Sequence, residues 1–376
     1  MCNMIYFDNS ATSFYKPEIV KQRVMVALEK FTANAGRSGH KPSQDVAEIV
    51  YDTREMVKNF FGAKNYEVIF TKNCSEALNL AILGTLKSGD HVITTMFEHN
   101  SVLRPLEYLK SKGVEVSYLD CELKDLDTKI VSHIKSNTKM LITTAMSNVT
   151  GDITNIERLG LICEKYNIIY LVDGAQASGH IDINLTDSYV DMFTFSGHKG
   201  LLSLTGVGAL VVKKGTILSN ILFGGTGTES EKLIQPQEFP EGYEVGTLPI
   251  IPIVSLNAGM SYIMSNKTLI YDKENKLGNY FYKNLIDLPF VDCYFSDGDR
   301  NVFSFNIKNM DCSYVANKLD EDYSICVRSG LHCAPLTHKF LGTFSKGGTV
   351  RVSIDFFNSK AEIDRFVQAL IEIKHY

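Results

Sequence analysis

The sequence lacks the features that mark membrane, secreted and nucleic-acid-binding proteins. None of its 376 residues lies in an apolar run approaching the roughly 20 residues that a membrane span requires. The N-terminal residues have neither the basic flank nor the apolar core of a signal peptide. The formal net charge is −5 and no long basic run occurs, which excludes a protein that binds nucleic-acid backbones through clustered lysine and arginine.

Cysteine is too scarce for a disulfide framework, and its spacing excludes the commonest thiol-based sites. The eight cysteines include no Cys-x-x-Cys pair, which is the signature of many zinc sites and of thioredoxin-like redox centres. We therefore predict no metal site. Scattered thiols without an export signal indicate a reducing compartment, so we expect a cytoplasmic protein.

Short apolar runs alternate with helical patterns through the first two thirds of the chain. Near-continuous apolar strands separated by helices predict an α/β fold with a mostly parallel, seven-stranded sheet covered on both faces. In such sheets ligands bind beyond the carboxyl ends of the strands. The apolar runs are 67–70, 91–94, 114–119, 140–145, 168–173, 192–195 and 207–212, and the helical segments between them include 75–86, 101–112, 125–135 and 155–166.

The pattern changes near residue 250, where a smaller α+β domain is predicted to begin. We expect a large domain over 15–250 and a small domain formed by 1–14 and 251–376. The predicted elements of the small domain are a long helix over 255–287 with a break near 266–272, strands at 302–307, 323–327 and 349–353, and helices at 311–321 and 359–374.

Two polar motifs follow neighbouring apolar runs. Asp173 begins the segment DGAQ, and Lys199 ends the segment SGHK. Taken singly, Asp173 is more simply a helix or turn cap and Lys199 a solvated loop cation. Together they fit the chemistry of pyridoxal phosphate, which needs a lysine that forms a Schiff base and a carboxylate that keeps the ring nitrogen protonated.

Donors for a phosphate are predicted at the start of the helix over 75–86. The segment 73–76 follows a strand, so that backbone N–H groups of the first helical turn face an anion. Ser196 and His198 add donors from the loop that carries the lysine. A simple helix N-cap explains 73–76 equally well without any ligand.

Ten short segments follow one another in an order that is typical of a known family. They are YFDNSAT (6–12), NAGRSGH (34–40), FTKNCSEALN (70–79), EHNSVLRP (98–105), SNVTG (147–151), DGAQ (173–176), SGHK (196–199), YEVGT (243–247), VRSGLHCAP (327–335) and RVS (351–353). With them the sequence resembles the fold-type I, class V pyridoxal-phosphate enzymes, and within these it is most similar to cysteine desulfurases and selenocysteine lyases. The resemblance runs from residue 5 to about residue 355.

The resemblance implies a homodimer that binds pyridoxal 5'-phosphate. Lys199 would bind the cofactor covalently and Asp173 would pair with its ring nitrogen, while His99 would stack on the ring and relay protons. Without the resemblance, His99 is more simply a loop or core histidine. The other implied cofactor contacts are Gln176 and Asn148 on the side of the ring hydroxyl, and Cys74, Ser75, Ser196, His198 and the partner subunit's Thr247 around the phosphate.

Cys333 is the candidate nucleophile. It lies in a loop bounded by Gly330 and Pro335, where a thiol can be exposed and positioned. The thiolate is the reactive form, and neighbouring His332 or Arg328 would favour it. A structural hydrogen bond inside the loop is the alternative for His332.

Two arginines are candidates for binding the α-carboxylate of a substrate. The guanidinium fork of Arg328 or Arg351 matches a carboxylate bidentately. The resemblance favours Arg351 as the direct contact, with Asn148 beside the substrate. A surface salt bridge is the alternative for either arginine.

The resemblance implies a cysteine desulfurase that converts L-cysteine to L-alanine. The sulfur would remain on Cys333 as a persulfide and pass to an acceptor, for example a protein of iron–sulfur cluster assembly. Open alternatives are a selenocysteine lyase acting on L-selenocysteine, another class V lyase, epimerase or aminotransferase, and, outside the enzymes, an idle scaffold for sulfur-carrier proteins. A scaffold would need none of Asp173, Lys199, Cys333 and Arg351.

Three departures from the family pattern leave the fold and cofactor unaffected. Leu331 replaces the first of two histidines before the cysteine, the segment 202–206 replaces the usual Gly-Pro after the lysine, and only 18 positions separate Cys333 from Arg351. These departures bear on the acceptor, the rate and the preferred substrate.

Overall fold

The strands form three sheets in the computed structural model, which describes residues 4–35, 38–295 and 297–375. In chain order they are β1 (Ile5–Tyr6), β2 (Tyr66–Thr71), β3 (His91–Thr95), β4 (Glu115–Leu119), β5 (Thr138–Thr144), β6 (Ile169–Asp173), β7 (Met192–Ser196), β8 (Gly208–Lys213), β9 (Val291–Cys293), β10 (Val302–Ile307), β11 (Ile325–Cys326), β12 (Arg328–Gly330) and β13 (Thr349–Ser353). The largest sheet has the order β2-β8-β7-β6-β5-β3-β4.

Helices surround these sheets. In chain order they are α1 (Glu18–Lys30), α2 (Lys41–Phe60), α3 (Cys74–Thr85), α4 (Asn100–Lys110), α5 (Leu126–His133), α6 (Ile156–Tyr166), α7 (Ile250–Ile286), α8 (Cys312–Tyr323), α9 (Pro335–Phe340) and α10 (Lys360–Ile373). Among the described residues, no helix combines the length and apolar character needed to cross a bilayer.

The seven-stranded sheet is mostly parallel, as predicted. Strands β3 to β7 run parallel to one another, and β8 lies antiparallel between β7 and β2. Consecutive residues of β5 belong to different cores, because Leu141 packs with α2 and α6 on one face and Ile142 packs with α3 and α4 on the other. Burial on both faces explains why the strands are almost continuously apolar.

The C-terminal part of the chain builds a second core. The antiparallel sheet β12-β13-β10-β9 packs against α8, α10 and the second half of α7. Strand β1 pairs with β11, so the N-terminal segment joins this core. We propose that the domains divide at residues 15 and 250; Met1–Asn3, Ser296 and Tyr376 of the small domain lie outside the described residues.

Helix α7 connects the two cores. Its one residue with non-helical dihedral angles is Asn266, where φ is −126° and ψ is 16°, within the segment in which the sequence predicts a break. The predicted strand over 323–327 is mostly wrong. Tyr323 ends α8, Ser324 adopts a left-handed conformation, and only Ile325–Cys326 is extended as β11.

Candidate active site

A cavity of about 270 Å³ opens where β5, β6 and β7 end. Parallel strands bring the residues at their carboxyl ends to the same edge of a sheet. Every residue predicted to contact the cofactor lines this cavity, except Thr247. The lining residues are Asn73, Cys74, Ser75, Leu78, His99, Ser101, Thr144, Asn148, Asp173, Ala175, Gln176, Ser196, His198 and Lys199.

Lys199 lies in the tight turn that follows β7. A Cβ atom at Gly197 would collide with the hydroxyl of Ser203, so the turn needs glycine there. Withdrawal of the amine from solvent lowers the pKa of Lys199, while the nearby Asp173 carboxylate acts in the opposite direction. A lysine with a lowered pKa is more often in the neutral, nucleophilic form.

Asp173 ends β6 and presents its carboxylate to the cavity. Its Oδ1 atom accepts a hydrogen bond from the backbone N–H of Ala175 at 2.9 Å and lies 3.4 Å from Cys74 Sγ. Among the described residues, we find no donor to Oδ2. One carboxylate oxygen is therefore held by protein and the other is left for a cationic partner.

Hydroxyl groups and a helix N-terminus form one wall of the cavity. Ser75 lies in the first turn of α3, and its Oγ is 2.6 Å from Ser101 Oγ. His198 Nδ1 is buried without a hydrogen-bond partner among the described residues. Burial, reinforced by the cations of Lys199 and Lys16, lowers the pKa of His198 to about 4. The wall thus offers hydroxyl, imidazole and backbone N–H groups to an anion.

The ring of His99 is fixed by the start of α4. Its Nδ1 accepts a hydrogen bond from the backbone N–H of Ser101 at 3.0 Å, which assigns the ring proton to Nε2. Burial lowers the pKa of His99 to about 4, although the Asp173 carboxylate acts in the opposite direction. The imidazole is therefore neutral at pH 7.

Asn148 and Gln176 tie the cavity to neighbouring segments. Asn148 Nδ2 donates to the backbone carbonyl of His332 at 2.7 Å, and Gln176 Nε2 donates to that of Ser10 at 3.0 Å. Both side chains border the cavity. Their contacts join the large sheet to the cysteine-bearing loop and to the N-terminal segment.

Cys333 is the one exposed cysteine among the seven that the structure describes. Arg328 Nη2 lies 3.6 Å from the sulfur of Cys333. The backbone carbonyl of Cys333 accepts a hydrogen bond from the backbone N–H of Asn100 at 2.7 Å. The neighbouring His332 does not contact the thiol and is directed toward Thr349 instead. His332 is buried with Nε2 3.0 Å from Thr349 Oγ1, and burial lowers its pKa well below the usual value. Of the two cations suggested for the thiolate, the structure places only Arg328 in contact.

Arg351 is fully buried and partly paired. Its Nη2 contacts Asp8 at 2.8 Å and its Nη1 donates to the backbone carbonyl of Asn148 at 3.1 Å. Its Nε is buried without a partner among the described residues. Because β12 and β13 pair Arg328 with Arg351, the two guanidinium-bearing residues lie side by side. The surface salt bridge suggested as an alternative is excluded for Arg351 by its burial.

Thr247 lies apart from these residues. It is exposed and borders a different cavity together with Lys72 and Glu76. The described residues of one chain therefore do not bring Thr247 to the predicted phosphate wall.

Sequence reasoning missed three residues at the site. Ser101 binds both Ser75 and His99, Asp8 pairs with Arg351, and buried Glu98 accepts from Thr95 and Thr144 beside the cavity. Ser101 and Glu98 stand within two positions of His99, so the segment 98–101 was the available signal. Asp8 had no local signal, because its partner is 343 positions away.

A buried lysine, a carboxylate and groups suited to an anion meet at the edge of a mostly parallel sheet, an arrangement typical of pyridoxal-phosphate enzymes of fold type I. The family comparison is more specific. Residues 5–366 match the model described as aminotransferase class-V, and the chain belongs to this family.

Several relatives that match nearly the whole chain are described as cysteine desulfurases or probable cysteine desulfurases. A protein of Pyrococcus abyssi described as a probable cysteine desulfurase is 34% identical, over 98% of this chain and 94% of its own length. A probable cysteine desulfurase of Methanothermobacter thermautotrophicus is 32% identical over the same shares. The apo structure of cysteine desulfurase from Thermococcus onnurineus NA1 superposes with a TM-score of 0.89 at 34% identity, covering 99% of this chain and 95% of that one.

Proposed function

We propose that this protein is a cysteine desulfurase that uses pyridoxal 5'-phosphate to convert L-cysteine to L-alanine. The observation that carries the proposal is the exposed thiol of Cys333 beside Arg328. Cys333 borders a cavity that shares Ser75, His99 and Ser101 with the one lined by Lys199 and Asp173. The descriptions of the relatives support it. Lys199, Cys333 and His99 are the proposed catalytic residues.

The cavity suits pyridoxal phosphate. The N-terminus of α3, Ser75, Ser196 and the unpartnered Nδ1 of His198 suit a phosphate, and the open Oδ2 of Asp173 suits a protonated ring nitrogen. Gln176 borders the same space. When bound, the cofactor supplies an electron-withdrawing ring that stabilises negative charge at the substrate Cα.

Proton transfer at the substrate Cα is the proposed work of Lys199. Its lowered pKa favours the neutral amine, which can accept the α-proton and return it when alanine forms. Asp173 would pair with the protonated ring nitrogen of the bound cofactor. His99 lines the cavity, and because it is neutral with its proton on Nε2, that atom can donate a hydrogen bond to a bound ligand.

Sulfur transfer is the proposed work of Cys333. Its thiolate attacks the sulfur of the bound cysteine, so that a sulfur–sulfur bond forms as the carbon–sulfur bond breaks and its electron pair returns to the substrate carbon. That carbon takes up a proton and becomes the methyl group of L-alanine. Arg328, at 3.6 Å, stabilises the thiolate. The persulfide then passes its outer sulfur to an acceptor thiol, which we propose to belong to a sulfur-acceptor protein.

The substrate carboxylate is proposed to bind Arg351. The Nε of this arginine has no partner among the described residues, and Arg328, whose Nη2 contacts Cys333, lies beside it on the neighbouring strand. Asn148 holds the other side of the guanidinium through its backbone carbonyl. Asp8 fixes its orientation and limits the charge available to substrate.

We also propose a cytoplasmic homodimer. The exposed position of Thr247 suits a contact with the phosphate of the neighbouring subunit, and the segment before it carries exposed Phe223, Leu233 and Ile234. Light scattering combined with activity measurement tests the dimer, and full activity in a monomer would contradict it.

The proposed function is tested by mass balance. Purified protein loaded with pyridoxal phosphate should release equal amounts of alanine and, with a reducing thiol present, sulfide from L-cysteine. Brief exposure to cysteine without reductant should add one sulfur to Cys333, as read by mass spectrometry. Pyruvate and ammonia in place of alanine would contradict the proposal. A strong preference for selenocysteine over cysteine would instead identify the enzyme as a selenocysteine lyase.

A further inference from the structure

The side chain of Cys74 contacts Asp173 rather than the wall of the cavity that carries Ser75 and His198. Cys74 is the first residue of α3 and is buried, with its sulfur 3.4 Å from Asp173 Oδ1 and 3.3 Å from Thr194 Oγ1. The next residue, Ser75, carries the hydroxyl that meets Ser101. The phosphate role predicted for Cys74 therefore does not account for the position of its sulfur.

The direction of the hydrogen bond follows from the chemistry of the two groups. Burial raises the pKa of Cys74 well above its usual value, and the Asp173 carboxylate acts in the same direction. The sulfur therefore carries its proton, and a carboxylate can only accept. Thr194 Oγ1, at 3.3 Å, is a second acceptor within range of the thiol, but the ionised carboxylate of Asp173 is the stronger acceptor and takes the thiol proton.

Both donors to Asp173 converge on one oxygen. The backbone N–H of Ala175 and the thiol of Cys74 reach Oδ1, while Oδ2 receives no donor from the described residues. We propose that Cys74 is a positioning residue, whose thiol holds Oδ1 of Asp173 and so turns Oδ2 toward the ring nitrogen of the cofactor. The inference rests on the proposed use of pyridoxal phosphate.

Three variants isolate the thiol proton. Cys74→Ser keeps a donor in nearly the same place, and Cys74→Ala removes the donor at almost the same volume as serine. Cys163→Ala is the matched control, because Cys163 is equally buried but packs in the core behind the sheet, away from the cavity. The probe is pyridoxal phosphate, titrated into cofactor-free protein and followed by absorbance across a range of pH.

We expect Cys74→Ala to bind pyridoxal phosphate about fivefold more weakly, which is the effect of one modest hydrogen bond. Without the thiol, Oδ2 of Asp173 is less well directed at the ring nitrogen, so the protonated form of the ring is less stabilised. A less protonated ring withdraws less electron density, so the pH midpoint of the absorbance change should be about half a unit higher than in the wild type. With cysteine, kcat should fall while KM stays near the wild-type value. Cys74→Ser should recover most of each change, and Cys163→Ala should show none of them.

Two results would overturn the inference. One is an Ala variant with the wild-type affinity and pH midpoint; the other is a Ser variant that loses as much as the Ala variant, which would indicate packing alone. A wild-type protein that produces no cofactor absorbance band would instead overturn the proposed function, so the two failures can be told apart.

Discussion

The lysine pocket (Lys199, Asp173 and His99) and the cysteine loop (residues 328–335) hold their reactive atoms in opposite ways. The pocket is built on strand ends and a helix start, and each of its groups is withdrawn from solvent or fixed by a backbone hydrogen bond. The loop carries an exposed thiol on left-handed backbone, with φ of 49° at His332 and 58° at Cys333.

The difference corresponds to two chemical tasks. Moving a proton and stabilising a carbanion need fixed dipoles and little water, which rigid elements provide. A sulfur carrier must face the substrate and then an acceptor, so it needs an exposed position, which a loop provides. If this division is correct, damage to each region should produce a different kind of failure.

Replacing the amine should cause the largest loss. Lys199→Ala is expected to lower turnover of cysteine by roughly 10⁴-fold, because general-base proton transfer and covalent cofactor binding are both removed. Borohydride reduction followed by peptide mapping should find the cofactor on Lys199 in the wild type and on no residue in the variant. A covalent adduct on another lysine would contradict the role.

Removing the thiol should stop sulfur transfer and leave the pocket working. Cys333→Ala is expected to release alanine from cysteine at least about a thousandfold more slowly, equivalent to about 4 kcal/mol in the barrier. Cofactor affinity and the spectral change on adding cysteine should stay near wild type. Cys326→Ala serves as the control, since Cys326 lies in β11 beside Asp320. Wild-type desulfuration in the Cys333 variant would remove the distinction between the two regions.

Neutralising the carboxylate of Asp173 should lower turnover without abolishing it. Asp173→Asn keeps the size of the side chain but loses the charge, and we expect turnover to fall about a hundredfold, in line with the loss of a charge-assisted hydrogen bond. Sulfur transfer to Cys333 should fall in proportion, because it follows carbanion formation. Undiminished turnover would exclude the proposed pairing with the ring nitrogen.

The cation of the cysteine loop should have a moderate effect. Arg328→Gln is expected to slow alkylation of Cys333 by iodoacetamide several-fold, up to about tenfold, because a partly exposed guanidinium stabilises a thiolate only modestly. Arg23→Gln, on the exposed side of α1, is the matched control. Equal alkylation rates in the two variants would show that the contact of 3.6 Å does not activate the thiol.

The smallest effect concerns stability and involves Glu98, which lies beside the cavity. Burial raises the pKa of Glu98 to about 8 from 4.5. The folded state then holds more protons than the unfolded state between these values, so the contribution of Glu98 to stability is full below pH 4.5 and is lost as pH rises through 8. Glu98→Gln should flatten the dependence of the melting temperature on pH across this window.

The control for this experiment is Glu231→Gln, at an exposed position. Its melting temperature should follow the wild-type pH dependence. If Glu98→Gln does the same, Glu98 is ionised in the folded protein and the account of its burial is wrong.

Local patterns predicted the elements of the large sheet because burial on both faces leaves a direct trace in sequence. Each apolar run became a strand, and the residues following β6 and β7 lie together at the cavity. The same reasoning was weaker in the small domain. The strands β9 and β12 are three residues long, too short to establish a period, and were not predicted.

Sequence by itself determined the alternation of strands and helices, the strand ends that carry Asp173 and Lys199, and the loop that carries Cys333, since each depends on a few neighbouring residues. Tertiary structure decided which partners these groups meet. Asp8 reaches Arg351, Arg328 rather than His332 reaches the thiol, and Cys74 reaches Asp173. The physical reason is that hydrogen bonds and charge pairs act over a few ångströms, whichever part of the chain supplies the atoms, and only folding brings these atoms within range.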